Sequence, residues 1–189
     1  MTKRIVAALV LFLLVGMTVY TFLEGKNTAS DDSASKGTAI VPADAPEGVQ
    51  KGDIAPNVSL QTLDGETIRL SDFKGEKVFL NFWASWCAPC LKEMPEMQQF
   101  HEEFGDDVTI LAVNATGTEK SEAIVKEFVE EGGYTFPIAL DVSMDANTIF
   151  RAQALPTTYF IGSDGVIQQP AKFGAMSYEF MVEMKDKLQ

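Results

Sequence analysis

The sequence predicts an α/β domain, a central mixed β-sheet flanked by helices, carried behind one hydrophobic segment. Three observations predict it. Apolar strand-like runs alternate with helical stretches from Lys51 to the last residue, Gln189. The chain's two cysteines, Cys87 and Cys90, fall in one Cys-x-x-Cys where an apolar run hands over to a helical one. Near the N-terminus, Ile5–Leu23 carries no charge, and as a helix it spans about 28 Å, close to the roughly 30 Å hydrocarbon core of a bilayer.

Taken in order, residues 1–4 hold Lys3 and Arg4, the only charges before Glu24. The positive-inside rule then predicts a cytoplasmic N-terminus, a transmembrane signal-anchor at 5–23 and the rest of the chain outside. The competing reading is a cleaved signal peptide. Such peptides have an apolar region of about 7–15 residues and a small-x-small cleavage site; this stretch is longer, and Tyr20-Thr21-Phe22-Leu23 is a poor site. A lipid-modified cysteine is excluded, because no cysteine lies near the segment. Residues 24–50 are rich in Ser, Ala, Asp, Thr, Gly and Pro and poor in bulky apolar side chains, so they predict a flexible linker.

The predicted domain occupies 51–189. Val58–Leu63 and Thr67–Leu70 alternate around Asp64-Gly65, an N-terminal β-hairpin signal. Ser71–Gly75 reads as a turn. Val78–Trp83 is nearly continuous in apolar residues, as in a strand buried on both faces. Ala88–Phe104 reads as a helix and Val108–Val113 as the next strand. A helix-strand-helix insertion follows: Lys120–Glu130 with Ile124, Phe128 and Val129 on one face, then Pro137–Leu140, then Ala146–Ala152. Thr158–Ile161 and Gly165–Gln168 form a second hairpin around Ser163-Asp164, and Tyr178–Leu188 closes the chain as a helix.

Composition narrows the function. Lys and Arg total 15 against 27 Asp and Glu, a formal charge of −12. Binding phosphates takes clustered cations, so nucleic acid is excluded as a partner. A Cys87–Cys90 disulfide would close too short a loop to staple the fold, which points to chemistry rather than structure. A zinc site needs two more ligands, and the chain offers no other cysteine and only His101.

The position of the pair supports redox chemistry. Cys87 falls at a helix N-terminus, where free N–H groups and the positive dipole end favour a thiolate. A thiolate is the species that attacks a disulfide. Cys90 lies one turn further in. Cys87 is therefore the expected exposed attacker and Cys90 the shielded resolving thiol. Pro89 suits the first helical turn.

Phe82-Trp83-Ala84-Ser85-Trp86-Cys87-Ala88-Pro89-Cys90 resembles the thioredoxin active-site motif. Pro95 resembles the kink proline of the same helix, and Leu155-Pro156-Thr157-Thr158 resembles the family's cis-proline loop. With the Ala55-Pro56 start, the early hairpin and the insertion, 51–189 resembles the TlpA and ResA group of membrane-anchored, extracytoplasmic thioredoxin-like proteins. The resemblance implies a thioredoxin-like fold and a thiol-disulfide oxidoreductase. It also implies a reductase of disulfides in client proteins, such as apocytochrome c in cytochrome c maturation, supplied with electrons by a membrane thiol carrier. No cofactor or metal is expected, because the Cys87–Cys90 pair carries the electrons.

The resemblance also assigns site residues. A cis Pro156 would leave the Leu155 backbone free to pair with an extended substrate segment, as in strand addition. Asn81 stands where parent thioredoxins carry a buried acid, so Glu93, three residues past Cys90, is expected to exchange the proton of Cys90; the alternative is a solvated glutamate. Trp86 is expected in the docking surface. Trp83, Met94 and Met97 are expected in the core, and His101 is given no role.

Three rivals use the same fold. A disulfide-forming oxidase uses the same residues with a destabilised disulfide. A peroxiredoxin-type peroxidase is suggested by the similarity of Lys51–Gly75 to that group, which places Pro-x-x-x-[Thr/Ser]-x-x before its cysteine; here Ala84 occupies the Thr/Ser position. A copper-delivery module of this fold resembles Cys-x-x-x-Cys with a downstream His, and this chain has no His after His101.

Overall fold

The computed structural model describes residues 45–189. The predicted span at 5–23 lies outside the described residues, as does most of the predicted linker. Among the described residues, no helix is long and apolar enough to cross a membrane. The last residues of the predicted linker are tied to the domain: the Ile54 N–H donates to the Pro46 carbonyl at 2.8 Å, and the Gly48 N–H to the Ile54 carbonyl at 3.0 Å.

Seven strands form one sheet: β1 (Ser59–Thr62), β2 (Thr67–Arg69), β3 (Lys77–Trp83), β4 (Val108–Asn114), β5 (Ile138–Leu140), β6 (Thr157–Ile161) and β7 (Ile167–Phe173). Their spatial order is β2-β1-β5-β4-β3-β6-β7. β3, β4 and β5 run parallel, and the remaining pairs are antiparallel. The helices are α1 (Ala88–Phe104), α2 (Glu122–Gly132), α3 (Asp145–Ile149) and α4 (Tyr178–Lys187). A short 3-10 turn at Leu70–Phe73 replaces the expected turn at Ser71–Gly75.

β3 is central, and every residue from Val78 to Trp83 is buried. Alternation along it divides the core in two. Phe79 and Trp83 face one cluster, with Cys90, Met94, Met97 and Phe100 of α1 and Met181 and Met184 of α4. Val78, Leu80 and Phe82 face the other, with Leu70 and Phe150. Trp83, Met94 and Met97 are core residues, as expected.

Three elements depart from expectation. α2 starts at Glu122, because Ser121 is extended (φ −167°, ψ 157°) and leaves Glu119 and Lys120 in the loop. Its buried stripe is Val125 and Val129, with Ile124 and Phe128 only half-buried. α3 stops at Ile149, two residues before Arg151 turns left-handed (φ 52°). β7 starts at Ile167, because Val166 pairs instead with Ile54, and it runs through Pro170 to Phe173. An edge strand tolerates a proline, which lacks only a donor that would face outward.

Candidate redox-active site

The site lies at the C-terminal end of β3. The chain leaves the sheet at Trp83, and Cys87 becomes the N-cap of α1 in extended backbone (φ −88°, ψ 99°). Its Sγ accepts the Cys90 N–H at 3.4 Å. Pro89 sits in the first turn, as expected, and Pro95 lies inside the helix. The two sulfurs form a disulfide, with Cα atoms 5.2 Å apart. Cys90 is wholly buried and Cys87 is 5% exposed. The exposed attacker expected at Cys87 is itself nearly covered in the disulfide state, and only slightly less so than Cys90.

Glu93 faces the core, not solvent, and is 1% exposed. Both of its carboxylate oxygens hold donors. Asn81 Nδ2 donates to Oε1 at 2.8 Å, and the Met176 backbone N–H donates to Oε2 at 3.0 Å. Burial pushes the Glu93 carboxyl up to about 7; the Asn81 and Met176 bonds and the charge of Lys172 pull it back part of the way. A carboxyl poised there can take or give a proton near neutrality. As Cys90 and Glu93 are three apart on one helix, their side chains are neighbours.

Asn81 is itself part of this buried polar group. It is 0% exposed, and its Nδ2 also donates to Thr158 Oγ1 at 3.0 Å across the β3–β6 pair. Asn81 and Glu93 were both singled out in sequence, but not the hydrogen bond between them. Period two puts residues 79, 81 and 83 on one face of β3, and Glu93 is the one charged side chain on the inward stripe of α1.

A second polar group was not foreseen. Glu119, in the loop after β4, accepts the Ser85 N–H and the Ser85 hydroxyl, each at 2.6 Å, and Asn114 Nδ2 at 3.0 Å. It thereby fixes the loop that delivers Cys87. No local signal marks it, because a glutamate before a helix is ordinary.

Trp86 is 59% exposed, and its indole N–H donates to Thr118 Oγ1 at 3.1 Å. The ring is thus anchored at one edge and open on its face. Leu155–Pro156 is a cis peptide. Because Thr157 pairs with Phe82, this loop lies at the same end of the sheet as Cys87. Leu155 is half-buried against the cluster that holds the cysteines. The Pro156 carbonyl accepts the Gly174 N–H at 2.9 Å. Among the described residues, the Leu155 backbone N–H and C=O have no hydrogen-bond partner. His101 lies a distance along α1, its ring edge-on to Phe136. Among the described residues, no cluster of His, Cys, Asp and Glu is arranged to hold a metal ion.

Residues 51–169 match the AhpC/TSA family model. The thioredoxin-like protein YneN of Bacillus subtilis is 38% identical over 188 residues, covering 100% of this chain and 98% of that protein. The thiol-disulfide oxidoreductase ResA of Bacillus thuringiensis subsp. konkukian is 36% identical over 143 residues, 75% of this chain and 80% of its own. The crystal structure of StoA from Bacillus subtilis superposes with a TM-score of 0.62 at 32% identity, covering 68% of this chain and 96% of that one.

Proposed function

The chain belongs to the AhpC/TSA family, and within it to the ResA-like thiol-disulfide oxidoreductases of thioredoxin fold; from that premise we propose that it reduces disulfides in extracytoplasmic client proteins. Thiol-disulfide exchange runs through the Cys-x-x-Cys pair, Cys87 and Cys90. The observation that carries the reductase reading is the likeness to ResA over three quarters of the chain, and Glu93, buried three residues past the resolving cysteine on the same helix, is the acid–base group it uses.

The reaction runs in two exchanges. The Cys87 thiolate attacks a client disulfide; the Cys87–client bond forms, the client S–S bond breaks, and one client sulfur leaves as a thiolate with the electron pair. Glu93 then takes the proton of Cys90. The Cys90 thiolate attacks the Cys87 sulfur, the Cys87–Cys90 bond forms, and the second client sulfur leaves. The client gains two electrons and the chain becomes the disulfide described here. Trp86 supplies a rigid apolar contact, and the free Leu155 backbone beside Pro156 pairs with the client's extended segment. No organic cofactor or metal takes part.

The predicted anchor at 5–23 places the domain on the outer side of the cell membrane, beside a membrane thiol carrier that restores the dithiol. Relatives named thiol-disulfide oxidoreductase support a disulfide-bearing client protein; apocytochrome c is the client that the sequence resemblance suggests. The test is the reduction potential of Cys87–Cys90 against glutathione or dithiothreitol buffers. A value near roughly −270 mV or below supports a reductase, and one near roughly −120 mV makes the chain a disulfide donor instead.

A further inference from the structure

Glu93 must be a carboxylate in one half of its cycle and a carboxylic acid in the other, yet its surroundings as described suit only the carboxylate. Oε2 faces the Met176 backbone N–H. That group donates and can never accept, so a protonated carboxyl finds no acceptor for its O–H there. The acceptor has to come from the Oε1 side. There the O–H would meet Asn81 Nδ2, a second donor. Two donors face to face in a buried site forfeit a hydrogen bond and leave polar groups unpaired.

The remedy is already in place. Asn81 Oδ1 is buried and has no hydrogen-bond partner among the described residues. Rotation about the Cβ–Cγ bond exchanges Oδ1 and Nδ2, and that torsion is broadly two-fold. The reversed amide would set Oδ1 against the new Glu93 O–H. The other neighbour of the amide is the Thr158 hydroxyl, which now accepts from Nδ2 at 3.0 Å. A hydroxyl donates as readily as it accepts, so it serves either orientation. One amide atom is unpaired in each orientation, so the two differ chiefly in how they meet Glu93.

We propose that Asn81 is a positioning residue whose side-chain amide reverses each time Glu93 gains or loses a proton, with Thr158 switching from acceptor to donor alongside it. Nδ2 holds the carboxylate ready for the Cys90 proton, and Oδ1 holds the acid until it gives that proton up. The part this plays in the reaction rests on the acid–base role proposed for Glu93. The other groups bearing on Glu93 are Lys172 from β7, whose charge favours the carboxylate, and the cysteine pair, Cys90 on α1 and Cys87 at its N-cap. Glu96, one turn further along α1, is engaged with the Tyr178 N–H.

The test is nuclear magnetic resonance on the full-length disulfide form with 15N-labelled asparagine side chains. At about pH 9 the Asn81 amide protons should show close contacts to Glu93 and Thr158. At about pH 5 those contacts should be lost, with a midpoint near the Glu93 titration at about 7. In Glu93→Gln the change with pH should vanish. Contacts that persist at both pH values, or a loss that survives in Glu93→Gln, would overturn the reversal. Thiol titration of the same Glu93→Gln chain tests the other reading by itself: unmoved thiols dismiss the acid–base role without touching the amide result.

Discussion

Glu119 accepts both hydrogen-bonding groups of Ser85, the backbone N–H and the hydroxyl, each at 2.6 Å across 34 residues of chain. The same carboxylate holds Asn114 at the end of β4. One side chain thus joins the loop that presents Cys87 to the C-terminal end of β4 in the middle of the sheet. Truncation would leave the part-buried Ser85 N–H and the Asn114 amide without this acceptor. Glu119→Ala should cost about 1–3 kcal/mol in urea unfolding and slow attack by Cys87. Glu119→Gln, which keeps one acceptor, should recover part of both. An unchanged urea midpoint in Glu119→Ala would show that the loop holds without it.

Glu93 sets a pH dependence of stability with a definite sign. Its folded-state pKa of about 7 lies above its ordinary value of 4.5, so between these values the folded chain binds more protons than the unfolded one. The stabilisation this affords is full below about 4.5 and is lost as pH rises to about 7. From the size of the shift the loss is about 3 kcal/mol. Urea midpoints of the disulfide form measured across this window should fall by more in the wild-type chain than in Glu93→Gln. Parallel profiles would mean that Glu93 is not protonated there.

The two cysteines should separate in trapping experiments. Cys90 is wholly buried while Cys87, at the helix N-cap, retains 5% exposure. Cys90→Ser should therefore accumulate a mixed disulfide at Cys87 with a disulfide-bonded client, seen as a mass increase without reductant. Cys87→Ser should accumulate none. An adduct on Cys90 of comparable yield would reverse the assignment of attacker and resolver.

Trp86 offers a test of docking apart from chemistry. Its ring is exposed but fixed by the bond to Thr118. Trp86→Ala should lower kcat/KM for a protein disulfide about tenfold, the scale of an aromatic hot spot. Reduction of a small disulfide such as oxidised glutathione should change little. Equal losses on both substrates would place Trp86 in the chemistry or in the fold rather than in client docking.

Much of the site was legible in sequence because it depends on short-range order. Cys87, Cys90 and Glu93 lie within two turns of one helix, whose start the Cys-x-x-Cys and Pro89 mark and whose range, Ala88–Phe104, the structure matches. β3 was legible for the same reason: a run of apolar residues broken only by Asn81 admits few readings. The extent of β7 was hidden, because Pro170 reads as a strand breaker and only its place at the sheet edge makes it harmless.

The sequence by itself determined the order of strands and helices and the redox pair at a helix N-cap. These follow from alternation, helical period and capping, which act over a few residues. Tertiary structure alone decided which partners were met. It brought Asn81 to Glu93, Met176 to Glu93 across 83 residues and Glu119 to Ser85, and it covered Glu93 so fully that its carboxyl moved to about 7. The physical reason is that hydrogen bonding and desolvation depend on what lies within a few ångströms in space, and that is set by how the sheet and helices close on one another.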